Sequence, residues 1–301
     1  MKRILIFLLF TSILCEDLIT KEGADKIRAA GATWSVVDPD KSIFKGTSIE
    51  EFKSRLQQEW PVNSSLPELE IEIPGNDTKN KSRLLQVYGI PMNFDGRKVW
   101  GKCIHSGRNQ KKCNGCWAFG VANHLSDRFC IKGQDVVLSV QDLLECTIGN
   151  FCCNGGNALN AYNLVMMQGI VEENCKPFDA KCGECRMSRC RRYRCIMNSA
   201  WVTTNPIKAQ IEVFMNGPIS AIYNVYADFP YYEGGVYYRT TNMRLAVHSV
   251  TIVGWGVENG VPYWICKNSW GDNWGLKGFF MIRMGDSEIN SYMTSCSPLI
   301  L

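Results

Sequence analysis

The chain has 301 residues, 46% of them hydrophobic, with a formal net charge of +4 and 15 cysteines. That length allows a sizeable core in one large domain or two lobes, and so small a positive excess gives no electrostatic reason for a nucleic-acid partner. The cysteine load excludes an ordinary reduced cytosolic protein and points to the oxidising secretory route.

The N-terminus agrees. Met1-Lys2-Arg3 gives a positive start, and the apolar run from Ile4 to Leu14 is about half the length of a bilayer-spanning helix. Residues 1–15 read as a signal peptide cut near Cys15, and no other run predicts a membrane span. Sequons at Asn63, Asn76 and Asn80 fit a secreted surface segment.

Residues 16–89 contain no cysteine. One helix is predicted over about Lys21–Ala30. A second is predicted over residues 48–60, with Ser48 and Glu51 as a capping box and Ile49, Phe52, Leu56 and Trp60 on one face. A polar, turn-rich linker follows from Val62. This unit reads as an N-terminal subdomain or as a removable propeptide; composition alone does not separate the two.

From Ile90 the pattern changes. Trp117, Val121, Leu125 and Phe129 repeat every four residues and predict a helix to Cys130, ended by Gly133. Further helices are predicted over 137–146 with Ser139 as N-cap, over 158–169, and over 207–217 closed by Gly217. After Pro218 the signal turns to strands. His248–Val257 and Val261–Trp270 flank an Asn259-Gly260 turn, a hairpin signal, and Leu276–Met284 reads as another strand. Helices first and strands later predict an α+β protein with two lobes.

Cys113 and Cys116 stand three residues apart at the start of the first large helix. Three readings compete: half of a zinc site, two structural cysteines, or one structural cysteine and one nucleophile. A nucleophile needs a nearby base or cation, and a helix N-terminus helps. The chain has three histidines, so the search for a base is short. His124 lies roughly 12 Å along the helix from Cys116 and is expected at the surface. His105 is given no role. His248 is the best candidate. With a two-residue turn, position 258 pairs with 261 and Asn268 with Thr251, which leaves His248 on the other face. A bulge hosted by Gly254 or Gly256 would bring His248 and Asn268 together.

Cys113-Asn114-Gly115-Cys116-Trp117 resembles the signature of papain-type cysteine proteases. Cys153-Asn154-Gly155-Gly156, the residues around His248, and Lys267-Asn268-Ser269-Trp270-Gly271 resemble other motifs of that family, in the family's order. The resemblance runs from Ile90 to the C-terminus. Within the family the chain is most similar to the cathepsin B branch, through residues 90–97, 125–131, 216–237 and 254–264.

That resemblance implies a two-lobed papain-like fold, mainly helical over about 105–205 and β-barrel-like over about 206–295, behind a helical propeptide of residues 16–89. It implies Cys116 as nucleophile, His248 as general base and acid, and Asn268 as its orienting partner. Trp270 would shield that pair, and Gln110 would offer its amide to the oxyanion with the Cys116 N–H. Gly155 and Gly156 would line the substrate backbone, where missing side chains permit close approach. Tyr292 would end the pocket for the second residue upstream of the scissile bond, favouring apolar residues over arginine. No cofactor or metal is implied. The implied partners are peptide or protein substrates, the chain's own propeptide as inhibitor, and cystatin-like inhibitors, with the enzyme a monomer of a lysosome-like vesicle or the extracellular space.

The chain departs from the family in two places. Asn114-Gly115 replaces the usual Gly-Ser, a small or turn-compatible change. Between Gly156 and Gly217 there is no histidine, so the histidine pair of the cathepsin B occluding loop is missing. An open cleft and an endopeptidase without dipeptidyl carboxypeptidase activity follow. Cys182, Cys185, Cys190 and Cys195 imitate a zinc site, but disulfides suit the compartment better. By resemblance the pairs are Cys103–Cys130, Cys113–Cys153, Cys146–Cys190 and Cys175–Cys195, with Cys182–Cys185 a further guess. The rival functions are a papain-fold peptide ligase and a non-catalytic binding protein.

Overall fold

A computed structural model of the chain describes residues 16–60, 66–71 and 89–301. The segment read as a signal peptide and all three sequons lie outside the described residues. Among the described residues, no helix is long and apolar enough to cross a membrane.

The N-terminal unit begins with α1 (Lys21–Ala29), capped by the Thr20 side chain, which accepts from Gly23 N. After β1 (Ser35–Val36) comes α2 (Ile49–Ser54), where Ser48 accepts from Glu51 N. The helix α2 is shorter than its sequence pattern. It ends at Ser54 because the chain straightens to form a bridge between Gln57 and Val247. Phe52 and Leu56 are still buried, but Trp60 joins a different cluster. Part of the linker is extended too: Glu68 bridges Val202, and Leu69 N donates to Val202 O at 2.8 Å.

The next elements are β2 (Phe94–Asp95), the short α3 (Gly96–Val99), α4 (Cys116–Ile131), α5 (Val140–Cys146, capped by Ser139) and α6 (Ala158–Met167, capped by Asn157). Then follow β3 (Trp201–Thr203), α7 (Pro206–Asn216), β4 (Ile219–Tyr226), β5 (Tyr232–Gly234) and β6 (Val236–Tyr237). The chain ends with β7 (Arg244–Glu258), β8 (Val261–Lys267), β9 (Phe279–Arg283) and β10 (Met293–Ser295). Asn205 caps α7, and Gly217 at φ 100° stops it. That angle suits glycine because a side chain is strained there.

The main sheet runs β3-β10-β4-β7-β8-β9-β6, with β2 also paired to β7. Its ends, β3 and β6, are not joined to each other, so among the described residues the strand lobe is an open sheet. One apolar core joins α4, α5 and α6 through Leu125, Phe129, Leu143 and Tyr162. A second gathers the sheet with Phe44 and Phe52 of the N-terminal unit.

Helix α4 lies between these cores. Every residue from Cys116 to Cys130 is buried, so the four-residue repeat understates what the helix hides. This corrects the surface placement of His124. That side chain is fully buried, with Nδ1 on Gly120 O at 2.7 Å. Burial pushes its pKa down to about 3. Gly120 lets β7 close on the helix, since a Cβ there would lie 2.2 Å from Ser249 Oγ.

The structure bonds Cys103 to Cys130 and Cys113 to Cys153. The remaining pairs differ from those implied by resemblance. Cys146 bonds Cys185 rather than Cys190, Cys175 bonds Cys190 rather than Cys195, and Cys182 bonds Cys152 rather than Cys185. The cause lies at the C-terminus. Backbone hydrogen bonds from Ile196 N to Ser297 O and from Leu299 N to Arg194 O, both 2.8 Å, hold Cys195 against the last residues. Cys195 therefore pairs with Cys296, which leaves Cys190 for Cys175 and Cys185 for Cys146. Cys116 and Cys266 are free and buried.

Candidate active site

Cys116 is the first residue of α4, a 16-residue helix whose N-cap, Gly115, supplies no side-chain cap. The helix dipole and its free N–H groups therefore face the thiol, a setting that favours a thiolate. The Cys113–Cys153 bond anchors the turn before it. Burial raises the Cys116 pKa, while the backbone N–H groups of Ser249, Gln57, Trp117 and Cys116 itself act the other way. The sulfur thus sits where α4, β7 and the N-terminal unit meet.

Strand β7 carries His248 and the loop after β8 carries Asn268. Their register contains one irregularity: Ile252 pairs with Cys266 and Gly254 with Ile265, leaving Val253 unpaired. Thr251 then pairs with Lys267 rather than with Asn268. The extra residue sits at Val253, next to one of the two glycines suggested by the sequence. It turns His248 and Asn268 to the same side. His248 Nε2 meets Asn268 Oδ1 at 2.8 Å.

That bond fixes the tautomer. Ser269 N also donates to Asn268 Oδ1, at 2.8 Å, so this atom is the acceptor and His248 Nε2 carries the hydrogen. Nδ1 is then the basic nitrogen, and it is buried without a hydrogen-bond partner. Trp270 stacks on the imidazole at 5.0 Å and 25°, covering the pair. Burial pulls the His248 pKa down to about 4, against the opposing bond from Asn268.

Gln110 is 1% exposed. Ser269 Oγ donates to its Oε1 at 2.6 Å, which turns Nε2 toward the cleft. Nε2 donates to Cys113 O at 2.9 Å and to Arg55 O at 2.8 Å. Sequence reading missed the role of Ser269; its place inside the Asn268–Trp270 motif was the available signal.

Gly155 and Gly156 line a cleft of about 500 Å³ together with Asn114, Gln57, Gln58 and Glu59. Gly155 has φ 106°. Gly156 has a structural reason to lack a side chain, since a Cβ would lie 2.6 Å from the Trp117 ring. Tyr292 is 7% exposed and clusters with Ile222, Val247 and Trp60. Residues 55–60 thus run past Gln110, Cys116, Gly155, Gly156 and Tyr292. Val247 N donates to Gln57 O at 2.6 Å. Phe44 and Phe52 pack edge-on against Trp270, each at 5.4 Å.

His105, given no role from sequence, belongs to a buried charged cluster between the lobes. Its Nδ1 meets Asp127 Oδ1 at 2.9 Å, and Lys267 Nζ donates to Asp127 Oδ2 at 2.6 Å. Asp127 lies on α4 and Lys267 immediately precedes Asn268, so the cluster ties the helix that carries Cys116 to the strand that leads to Asn268. The Asp127 hydrogen bond holds the His105 pKa above its ordinary value, while burial lowers that of Lys267.

A papain family cysteine protease profile matches residues 90–298. The chain belongs to the papain family of cysteine proteases and is a cysteine-type peptidase. Its relatives are of the cathepsin B-like kind. It is 36% identical over 232 residues to a gut-specific cysteine proteinase of Caenorhabditis elegans, spanning 66% of this chain and 70% of that protein. It is 32% identical over 288 residues to cathepsin B-like cysteine proteinase 4 of the same organism, spanning 82% and 83%. Procathepsin B S9 from Trypanosoma congolense matches with a TM-score of 0.81 at 25% identity, over 94% of this chain and 99% of that one. Procathepsin L 3 of the Tenebrio molitor larval midgut shares the fold, with a TM-score of 0.74 at 22% identity over 92% and 86%.

Proposed function

We propose that the protein is a cysteine endopeptidase made as a zymogen, with Cys116 as nucleophile and His248 as base and acid. Cys116 Sγ attacks a peptide carbonyl after His248 Nδ1 takes the thiol proton. The C–N bond breaks, His248 gives its proton to the leaving amine, and a thioester remains. Water attacks the thioester, losing a proton to His248, and the thiol is released. Asn268 holds the imidazole in the Nε2–H tautomer, and Gln110 Nε2 steadies the oxyanion with the Cys116 N–H.

One observation carries this reading. A peptide already crosses the site, with the Arg55 carbonyl on Gln110 Nε2 and the Gln57 N–H acting on the Cys116 sulfur. The N-terminal unit, residues 16–89, is accordingly a propeptide that blocks the cleft until it is cut near Ile90. Without the occluding-loop histidines the enzyme cleaves inside chains and prefers an apolar residue at the Tyr292 pocket. The disulfides and the leader support passage through the secretory route to a lysosome-like vesicle or the exterior.

The test is labelling of acid-treated protein with an epoxide thiol probe, read by intact mass, against Cys116→Ala. One adduct that disappears in Cys116→Ala, together with loss of the N-terminal unit, is the expected result. No adduct on folded, processed protein would overturn the reading in favour of a non-catalytic binding protein. Products joined to an added amine rather than water would favour a ligase.

A further inference from the structure

Three residues past Gln57, Trp60 places its ring among Ile222, Val247 and Tyr292. In the antiparallel pairing of β4 with β7, Asn224 lies opposite Val247 and Ile222 opposite Ser249. Ile222, Asn224 and Val247 therefore share one face of the sheet. The apolar pocket has a polar end, where the Trp60 indole N–H donates to Asn224 Oδ1 at 2.9 Å. Asn224 is 7% exposed, and its amide is held from both sides. Arg244 Nε donates to the same oxygen at 2.9 Å, and Asn224 Nδ2 donates to Glu288. A flipped amide would set its own donors against Arg244 and lose Glu288, so the oxygen is fixed toward the pocket. Arg244 also reaches the Gln58 carbonyl at 3.0 Å.

We propose that Asn224 is a specificity-determining residue and that the pocket selects tryptophan in the peptide substrate, at the second residue upstream of the scissile bond. The inference rests on the peptidase reading above and names its substrate class. When Trp60 leaves, it uncovers space for a flat bicyclic ring and a fixed acceptor with room for one N–H. Phenylalanine fills part of the space and leaves that lone pair without its donor, which is costly in a buried site. Arginine brings a guanidinium up to that of Arg244. Only the side chain enters the pocket, so the selection does not depend on the direction in which the backbone crosses the cleft.

The full chain is processed in acid and titrated with the epoxide probe, so that rates refer to labelled sites. Peptides differ only at the selected position, carrying tryptophan, 1-methyltryptophan, phenylalanine or arginine. The tryptophan peptide is expected to exceed the 1-methyltryptophan and phenylalanine peptides in kcat/KM on the order of tenfold, with arginine lowest. Asn224→Leu should bring the ratio of tryptophan to 1-methyltryptophan to about one. Wild-type rates that do not distinguish those two peptides, or a best rate for arginine, would overturn the proposal. So would an Asn224→Leu enzyme that keeps the full preference. If that variant does not fold, the wild-type comparison decides alone. Labelled, active enzyme with no tryptophan preference removes this inference and leaves the peptidase reading standing, whereas absence of labelling removes both.

Discussion

His248 and Asn268 meet because β7 holds one residue more than β8 between the hairpin turn and the site. That residue is Val253, the unpaired member of the register. Without it, regular pairing would put Asn268 opposite Thr251 and turn the imidazole to the other face. The contact between the two side chains therefore depends on a backbone irregularity several residues away from either of them.

Asn268→Ala is expected to lower kcat by roughly 10²-fold with little change in KM, since it frees the imidazole without removing a substrate contact. Deletion of Val253 should cost more in kcat, because it turns the whole side chain away. Steady-state kinetics on one peptide measures both. An Asn268→Ala enzyme with wild-type kcat would refute the orienting role.

Gln110→Ala removes the donor proposed for the oxyanion, so kcat should fall by roughly 10²–10³-fold. Ser269→Ala leaves that donor in place and loosens only its tether, so its loss should be smaller. Equal losses would mean that the Ser269 hydroxyl does more than hold the amide.

Acid should release residues 55–60 from the cleft. His248 is held at about 4 in the closed state, below its ordinary value of roughly 6.5. A depressed histidine pKa favours the closed form above the ordinary value, and that favour is lost as pH falls from about 6.5 through about 4. His105 has the opposite sign. Its raised pKa gives stability at low pH that fades as pH rises through the folded value, so it does not drive opening in acid. Hydrogen exchange at Val247, whose N–H donates to Gln57 O, followed in a Cys116→Ala chain from neutral pH to pH about 4, should show protection lost over that window. A flat profile would remove His248 as the trigger.

Asp127→Asn leaves Lys267 buried without its counter-charge. The cost should be about 3–5 kcal/mol, a fall in Tm on the order of 10 °C. Replacing both partners, Asp127→Leu with Lys267→Met, should recover much of that loss, because the buried charges vanish together. A double variant as unstable as the single one would show that the cluster's hydrogen bonds, rather than its charge balance, hold the lobes.

The two-lobe division was legible because helical and strand periodicities occupy different parts of the chain. Capping residues Ser48 and Ser139 declare themselves locally, since each needs only its own first turn. The candidate nucleophile and base were findable because the chain has few histidines and a distinctive cysteine pair. Features set by distant packing were not. His124 was misplaced because nothing in its own helix shows that Tyr162 of α6 packs against its ring. Trp60 fits the α2 pattern by spacing, yet an extended backbone around Gln57 carries it to Asn224. The cysteine partners after Cys146 depended on where residues 296–299 return, which local spacing does not contain. Asp127 and Arg128, side by side inside an apolar helix, were the one available sign of buried ion pairs.

The N-terminal unit is fastened by partners that are synthesised long after it. Thr20 N bonds the Tyr231 hydroxyl across 211 residues, and Trp34 Nε1 bonds Tyr238 O across 204. At 5–20 residues per second, the unit waits roughly 10–40 s for those partners. Such non-local contacts make folding slow, since the long loop closes before its contacts reward it. The anchors of the N-terminal unit and the His248–Asn268 pair thus come from the same late stretch of chain. A chain that has not yet reached Asn268 lacks the side chain that holds His248.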